Sequence, residues 1–348
     1  MKLARTQAID RFNVRLLFVG SGDVVPFATL PRLLRAGDLV VLNDAATLPA
    51  SLHGRTSRGE AFELRLSGPI APHALRGVLL GDGDHRTRTE DRAAPPKLAV
   101  GDRIQLAGFP ATVTASAGRM VELATRLPDD ELWQRIYTAG APVQYAHRPD
   151  LIPLYAVQTA YAARPWAVEM PSAGRPLTWD ILLGLRANGI ELATLTHAAG
   201  LSSTGDDELD RALPWPERYE IPRRTVDAIA RAKARGGRVI AIGTTVVRAL
   251  EAAALAAESP PCGASSDMPL LRPGSGVATL RIDPSYKPRV VDGLVSGLHV
   301  PGESHFELLS AFTPREVLER ALGSAVAHDL STHELGDTCL VIRGVANS

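Results

Sequence analysis

Gly236 through Glu251 joins a short β-branched run to a helical pattern through Gly243-Thr244-Thr245. A strand, a tight turn and a helix N-terminus in that order gather free backbone N–H groups, the positive end of a helix dipole and two hydroxyls. Arg248, read on the first turn, adds a fork of donors suited to an anion. The chemistry this serves is anion binding. An ordinary βα turn with a capping threonine has the same local pattern.

Asn43-Asp44 ends an apolar run over 37–43. A carboxylate there accepts hydrogen bonds from a ligand hydroxyl or amine, or closes the strand as an Asx-turn. His197 follows a strand pattern at 190–196, and His299 lies in Ser296-Gly297-Leu298-His299-Val300-Pro301-Gly302-Glu303-Ser304-His305. Either is an acid/base candidate near neutral pH or a satisfied buried histidine. The His-x5-His spacing is not that of a helical metal pair, so no metal is expected. Pro171-Ser172-Ala173-Gly174 precedes a helix. Its small residues let a ligand approach the backbone, or form a plain loop before a cap. Arginines at 223, 224, 231, 235 and 238 read as a solvated helix face, with an RNA-contacting patch as the alternative. There is no G-x-S-x-G, P-loop or G-x-G-x-x-G.

The elements that must position these residues follow from periodicity. Thr178 caps a helix over 179–188 that Gly189 stops, Pro222 opens a helix over 223–235, and 238–242 is a strand. Such alternation predicts an α/β body with a mainly parallel sheet or a barrel-like arrangement. Ligands bind beyond the carboxyl ends of such strands, where Asp44, His197 and Thr244-Thr245 all fall. Between about 52 and 126 the texture changes to short alternating runs at 60–66, 103–107, 111–115 and 119–124. Hairpin connections at Gly108-Phe109-Pro110 and Ala117-Gly118 predict a small antiparallel β-barrel. Gly81 to Glu90 is polar and reads as a mobile loop, and 258–276 as a Pro/Gly/Ser-rich loop within the α/β body.

The chain has 348 residues, enough for two domains or one large one, with 38 basic and 38 acidic side chains. Zero net charge gives no global pull toward nucleic acid or anionic membrane, though a local patch suffices for either. Cys262 and Cys339 lie in no metal-binding or disulfide pattern, which fits a reducing cytosol. No apolar h-region follows Met1-Lys2-Leu3-Ala4-Arg5, and no apolar run is long enough to span a membrane. A cytoplasmic protein is expected; its oligomeric state is open, with a monomer the default.

Taken in order, these segments resemble the S-adenosylmethionine:tRNA ribosyltransferase-isomerase family of queuosine biosynthesis. The resemblance runs from Leu33 to Asp44, through Pro49-Ala50-Ser51-Leu52-His53-Gly54, Gln158-Thr159-Ala160-Tyr161-Ala162 and Pro171 to Gly174. It continues through Gly236 to Glu251, Val291-Asp292, Leu298-His299-Val300-Pro301, Ser310-Ala311-Phe312 and Gly336-Asp337. It implies a discontinuous α/β catalytic domain over 1–51 and 141–348, with a β-barrel inserted over 52–140. It also implies S-adenosylmethionine as a ribosyl donor and no metal. The amine of 7-aminomethyl-7-deazaguanine in tRNA attacks the sugar, which rearranges to the epoxycyclopentanediol of epoxyqueuosine as adenine and methionine leave. Asp44, His197, Arg248 and His299 become the catalytic candidates. Asn43, Gln158, Tyr161, Pro171, Ser172, Ala173, Gly174, Gly243, Thr244 and Thr245 become the donor-binding ones. Arg248 and the Gly-Thr-Thr turn would take the donor's carboxylate, and His299 would transfer a proton.

The chain departs from the family pattern at several points. Ala45-Ala46 stands for Thr-Arg, Ser51 for Arg, and Gly174-Arg175-Pro176-Leu177 for Gly-Leu-His-Phe. The usual His-x-Glu before a Tyr is replaced around Leu213 to Tyr219, including Trp215. Each Arg-to-small change removes up to five donors. Two alternatives follow: a paralogue that uses the same donor on a small molecule, and a non-catalytic protein that binds it.

Overall fold

The computed structural model describes residues 2–3, 11–68, 73–145, 150–258, 270–332 and 335–344. Its body is a nine-stranded sheet. In spatial order the strands are Gly274–Ala278, Glu217–Ile221, Glu191–His197, Leu39–Asn43, Val239–Ile242, Gly293–Gly297, Thr338–Ile342, Arg15–Phe18 and Asp23–Pro26. Leu39–Asn43 pairs in parallel with Glu191–His197 and Val239–Ile242, and Val239–Ile242 with Gly293–Gly297. Every residue of Leu39–Asn43 and Val239–Ile242 is buried, which is why both read as continuous apolar runs rather than alternating ones.

The expectation of a mainly parallel sheet is corrected to a mixed one. Glu217–Ile221 runs antiparallel to both of its neighbours, Thr338–Ile342 antiparallel to Gly293–Gly297, and Asp23–Pro26 antiparallel to Arg15–Phe18. The helix–strand alternation describes the centre of the sheet. At the edge, the chain returns from His197 to Glu217 with only the short helix Asp207–Arg211 between them, so no crossover forms.

Alternation along the central strands sends side chains to two cores. Leu39, Val41, Val239 and Ala241 meet Ile229 of helix Arg223–Ala234 and Leu250 of helix Thr244–Glu258. Val40, Leu42, Ile240 and Ile242 meet Leu182 and Leu185 of helix Trp179–Ala187. Thr178 caps that last helix by accepting from the Ile181 amide at 3.4 Å.

The second unit is a closed antiparallel barrel of Ser51–Thr56, Ala61–Leu66, Ala74–Leu80, Arg103–Leu106, Phe109–Ala117 and Met120–Ala124. Leu52, Phe62, Leu64, Val78, Ile104 and Phe109 fill it. A Cβ on Gly54 would stand 2.5 Å from the Phe62 ring, so only glycine fits beside that side chain. The chain enters at Ser51 and leaves after helix Asp129–Ala139, where Ser51 and Ala141 exchange backbone hydrogen bonds of 2.9 and 3.0 Å. The loop expected to be mobile at 81–90 is instead anchored. Arg92, buried beside it, donates to the Gly81 and Asp84 carbonyls at 3.3 and 2.7 Å and to Glu63 at 2.5 Å. Most of the stretch read at 258–276, with Cys262, lies outside the described residues. Among the described residues no helix is long and apolar enough to cross a membrane, and no cluster of three or more metal-ligating side chains occurs.

Candidate active site

Three parallel strands end side by side at Asn43, His197 and Gly243, and one amide ties their tips together. Asn43 Oδ1 accepts from the His197 and Ala45 amides at 2.9 and 3.1 Å. Its Nδ2 donates to the His197 carbonyl at 3.0 Å and to Thr245 Oγ1 at 3.4 Å. Gly243 turns the chain at φ +90°, a conformation that glycine adopts without strain, and its N–H donates to Val295 at 2.8 Å. Helix Thr244–Glu258 starts immediately. Gly243, Thr244 and Thr245 stay partly exposed, while Val246 and Val247 are fully buried. The turn therefore presents helix-start amides and hydroxyls to the space beyond the sheet.

The pleat divides the remaining candidates between two faces. On the face of helix Trp179–Ala187, Asp44 Oδ1 accepts from Thr196 Oγ1 at 2.5 Å. The Tyr161 hydroxyl is close enough to feel Asp44: burial first, and the Asp44 charge second, hold the phenol well above its ordinary pKa. A Cβ on Gly174 would lie 2.1 Å from Tyr161 Oη, and one on Gly243 would lie 3.7 Å from the Ala173 methyl. The Pro171-Ser172-Ala173-Gly174 segment is thus drawn over Tyr161 and the Gly-Thr-Thr turn, with Pro171 and Ser172 partly exposed.

Gln158 has a different position from the one expected of a donor-binding residue. Its Oε1 accepts from the Thr47 amide and its Nε2 donates to the Thr47 carbonyl, both at 2.9 Å. The side chain acts as a strand partner to the segment leaving Asp44, and its polar atoms are spent there.

On the opposite face His197 is fully buried, and neither ring nitrogen has a hydrogen-bond partner among the described residues. Burial, then the charge of Arg248, lowers its pKa to about 3, so the ring is neutral at physiological pH. Arg248 lies one turn into the helix rather than in its first turn. Its guanidinium forms an ion pair with Glu217 and donates to the carbonyls of Leu280, Ala278 and Trp215 at 3.2, 3.1 and 3.3 Å. Burial lowers its pKa to about 10, which leaves it charged. The expected free fork is therefore corrected to a committed one: Arg248 clasps the antiparallel edge of the sheet to the helix. Glu217 is the partner that sequence reasoning missed. Its Oε1 accepts from the Gly200 amide at 2.5 Å, and its Oε2 lies 3.4 Å from His197 Nε2. Only its place two residues before Tyr219, in a segment already marked as divergent, pointed to it.

His299 follows strand Gly293–Gly297, with Nδ1 3.1 Å from Glu303 Oε2 and its ring centroid 4.6 Å from that of His305. Donation from Nδ1 to the carboxylate leaves Nε2 as an acceptor. His305 is pushed down to about 3, by burial first and His299 second. Further along helix Thr244–Glu258, beyond Arg248, Glu251 is fully buried. It accepts from the Arg289, Val290 and Val291 amides at 2.8, 3.0 and 3.0 Å and from Tyr286 Oη at 3.0 Å. That carboxylate fixes the approach to strand Gly293–Gly297. The surface hollow lined by Arg281, Asp283, Tyr286 and Arg289 is at this amino-terminal end of the strands, opposite the tips that form the candidate site.

The geometry suits a ligand with an anionic group at the Gly-Thr-Thr turn and polar hydroxyls near Asp44. Comparison with known proteins gives the family of the chain. The family model described as "Queuosine biosynthesis protein" matches residues 2–341. An S-adenosylmethionine:tRNA ribosyltransferase-isomerase from Azoarcus sp. is 34% identical over 353 residues, covering 98% of this chain and 94% of the relative. Proteins of the same name from Acaryochloris marina and Trichlorobacter lovleyi are 33% and 31% identical, each match covering 98% of this chain and 90% and 96% of the relatives. A crystal structure of an S-adenosylmethionine tRNA ribosyltransferase from Thermotoga maritima aligns with 98% of this chain and 96% of its own, at 21% identity and a TM-score of 0.49.

Proposed function

The chain belongs to the queuosine biosynthesis protein family, and on that premise we propose that it is an S-adenosylmethionine:tRNA ribosyltransferase-isomerase. It acts in the cytoplasm on tRNA carrying 7-aminomethyl-7-deazaguanine and yields epoxyqueuosine, with release of adenine and methionine. The observation that supports this most directly is the gathering of Asp44, Tyr161, Gly174 and the Gly243-Thr244-Thr245 turn around strand tips knotted by Asn43.

In this reading the helix-start amides and the two threonine hydroxyls take the donor's carboxylate. Asp44 receives the sugar hydroxyls and stabilises the cationic donor. The small residues at 171–174 admit a flat ring against the backbone. His299, oriented through Nδ1 by Glu303, removes or returns a proton at Nε2. Arg248 and Glu217 are positioning residues that hold the helix against the edge strands. The barrel over 52–140 is the unit proposed to be inserted into the catalytic domain.

The test is incubation with S-adenosylmethionine and tRNA bearing the deazaguanine, followed by mass analysis of nucleosides. Epoxyqueuosine with matching adenine release is the expected result; no adenine release in the presence of both substrates overturns the reading. A second reading, transfer to a small acceptor, is favoured by Ser51. Its hydroxyl donates inward to Glu63 at 2.7 Å, at a position where family members present an arginine. Adenine release that needs no tRNA would select it.

A further inference from the structure

Trp166 lies in strand Arg164–Ala167, which runs parallel to Ala45–Thr47 directly after Asp44. The register shifts between Pro165 and Ala167, so Trp166 is the unpaired residue of a bulge. Bulges re-aim side chains at the margins of sites. The amides of Ala163 and Arg164 donate to the Asp44 carbonyl at 2.8 and 3.3 Å, which ties this strand to the edge of the candidate pocket. The indole packs with Ala45, Ala167 and Ala199. Over its ring lies the Arg218 guanidinium, 3.7 Å from the centroid, with that of Arg164 at 5.6 Å.

The two arginines differ in charge balance. Arg164 is paired with Glu220 at 2.6 Å. Arg218 is exposed and has no hydrogen bond or ion pair from its side chain among the described residues. In the 223–238 segment Arg223 pairs with Asp227, Arg231 and Arg235 with Glu191, and Arg238 with Asp38, while Arg224 is exposed but lies over no aromatic ring among the described residues. A guanidinium held 3.7 Å over an indole is restrained by that contact. It presents a plane on which a base stacks and edge donors that suit a phosphate or a base edge.

We propose that Trp166 and Arg218 form a stacking platform for a nucleotide of single-stranded RNA, beside the edge of the pocket where Asp44 would hold the donor sugar that the reacting base attacks. This deepens the tRNA reading above and rests on it. Stacking explains how a chain of zero net charge engages RNA through one preorganised contact rather than through a broad basic surface.

The test is titration of an anticodon stem-loop RNA into wild type, Arg218→Ala, Arg218→Lys and Trp166→Ala at low salt, read by fluorescence anisotropy. Calorimetric binding of S-adenosylmethionine to each variant reports whether the pocket is intact. Arg218→Ala and Trp166→Ala are expected to weaken RNA binding about tenfold or more, with donor affinity unchanged. Arg218→Lys, which keeps the charge but not the plane, is expected to weaken it also. RNA affinity unchanged in Arg218→Ala and Trp166→Ala, with wild type binding, overturns the platform and leaves the tRNA reading standing. Wild type that binds no RNA at low salt overturns both.

Discussion

Glu217 and Arg248 form a buried ion pair between the antiparallel edge of the sheet and the helix that follows the Gly-Thr-Thr turn. Their side chains are 11% and 7% exposed, so the pair sits where an unbalanced charge is expensive.

Removing the carboxylate leaves Arg248 with three carbonyls and no counter-charge. Glu217→Ala is expected to lower unfolding free energy by about 3 kcal/mol, and Glu217→Gln, which keeps an acceptor for Gly200, by less. Urea unfolding at pH 7.5 checks this. An unchanged midpoint for Glu217→Ala would show that the pair is not a structural clasp.

Burial of neutral His197 makes stability depend on pH. Its pKa is about 3 folded and about 6.5 unfolded. Between those values the unfolded chain binds a proton that the folded chain refuses, so this contribution is full above pH 6.5 and is lost as pH falls toward 3. The slope is at most about 1.4 kcal/mol per pH unit for one group, and His305 adds the same sign. His197→Asn is expected to flatten the acid limb by about one such group. Denaturant unfolding at pH 7.5, 6 and 5 measures it, and parallel limbs for variant and wild type would contradict it.

Among the described residues the Asp44 side chain makes one hydrogen bond, with Thr196, and an asparagine accepts the same bond. Asp44→Asn is therefore expected to fold normally yet release adenine at least about 10²-fold more slowly. A rate within threefold of wild type, with donor saturating, would remove Asp44 from the chemistry.

Gly174→Ala tests the space between the two loops. The added methyl collides with Tyr161 Oη, so the tyrosine must swing away. Donor affinity measured by calorimetry is expected to fall about tenfold. Gly68→Ala, where a Cβ meets nothing within 4 Å among the described residues, serves as the silent control. Equal affinities in both variants would place the donor elsewhere.

Local chemistry made much of this architecture legible in the amino-acid order. Thr178 before Trp179, glycine at 243 between a β-branched run and a helix, and alternating runs between Gly and Pro turns report events within a few residues of one another. Asn43, His197 and Gly243 end parallel strands because short-range periodicity marks where strands stop. What stayed hidden is long-range. Gln158 spends its amide on Thr47, 111 residues away, and Arg248 meets Glu217 across 31 residues. No periodicity encodes such partners. The antiparallel edges were missed for a related reason: an apolar run announces a strand but not the direction of the strand beside it.

Helix Thr244–Glu258 begins at the candidate donor site and, through Glu251, gathers three amides and a phenol at the opposite, amino-terminal end of the strands. A substitution that damages Glu251 is therefore expected to lower activity as one in the threonine turn would, although it fails by letting strand Gly293–Gly297, which leads to His299, drift. Cellular abundance tells the two apart: the first protein is cleared by quality control, whereas the second accumulates intact and idle.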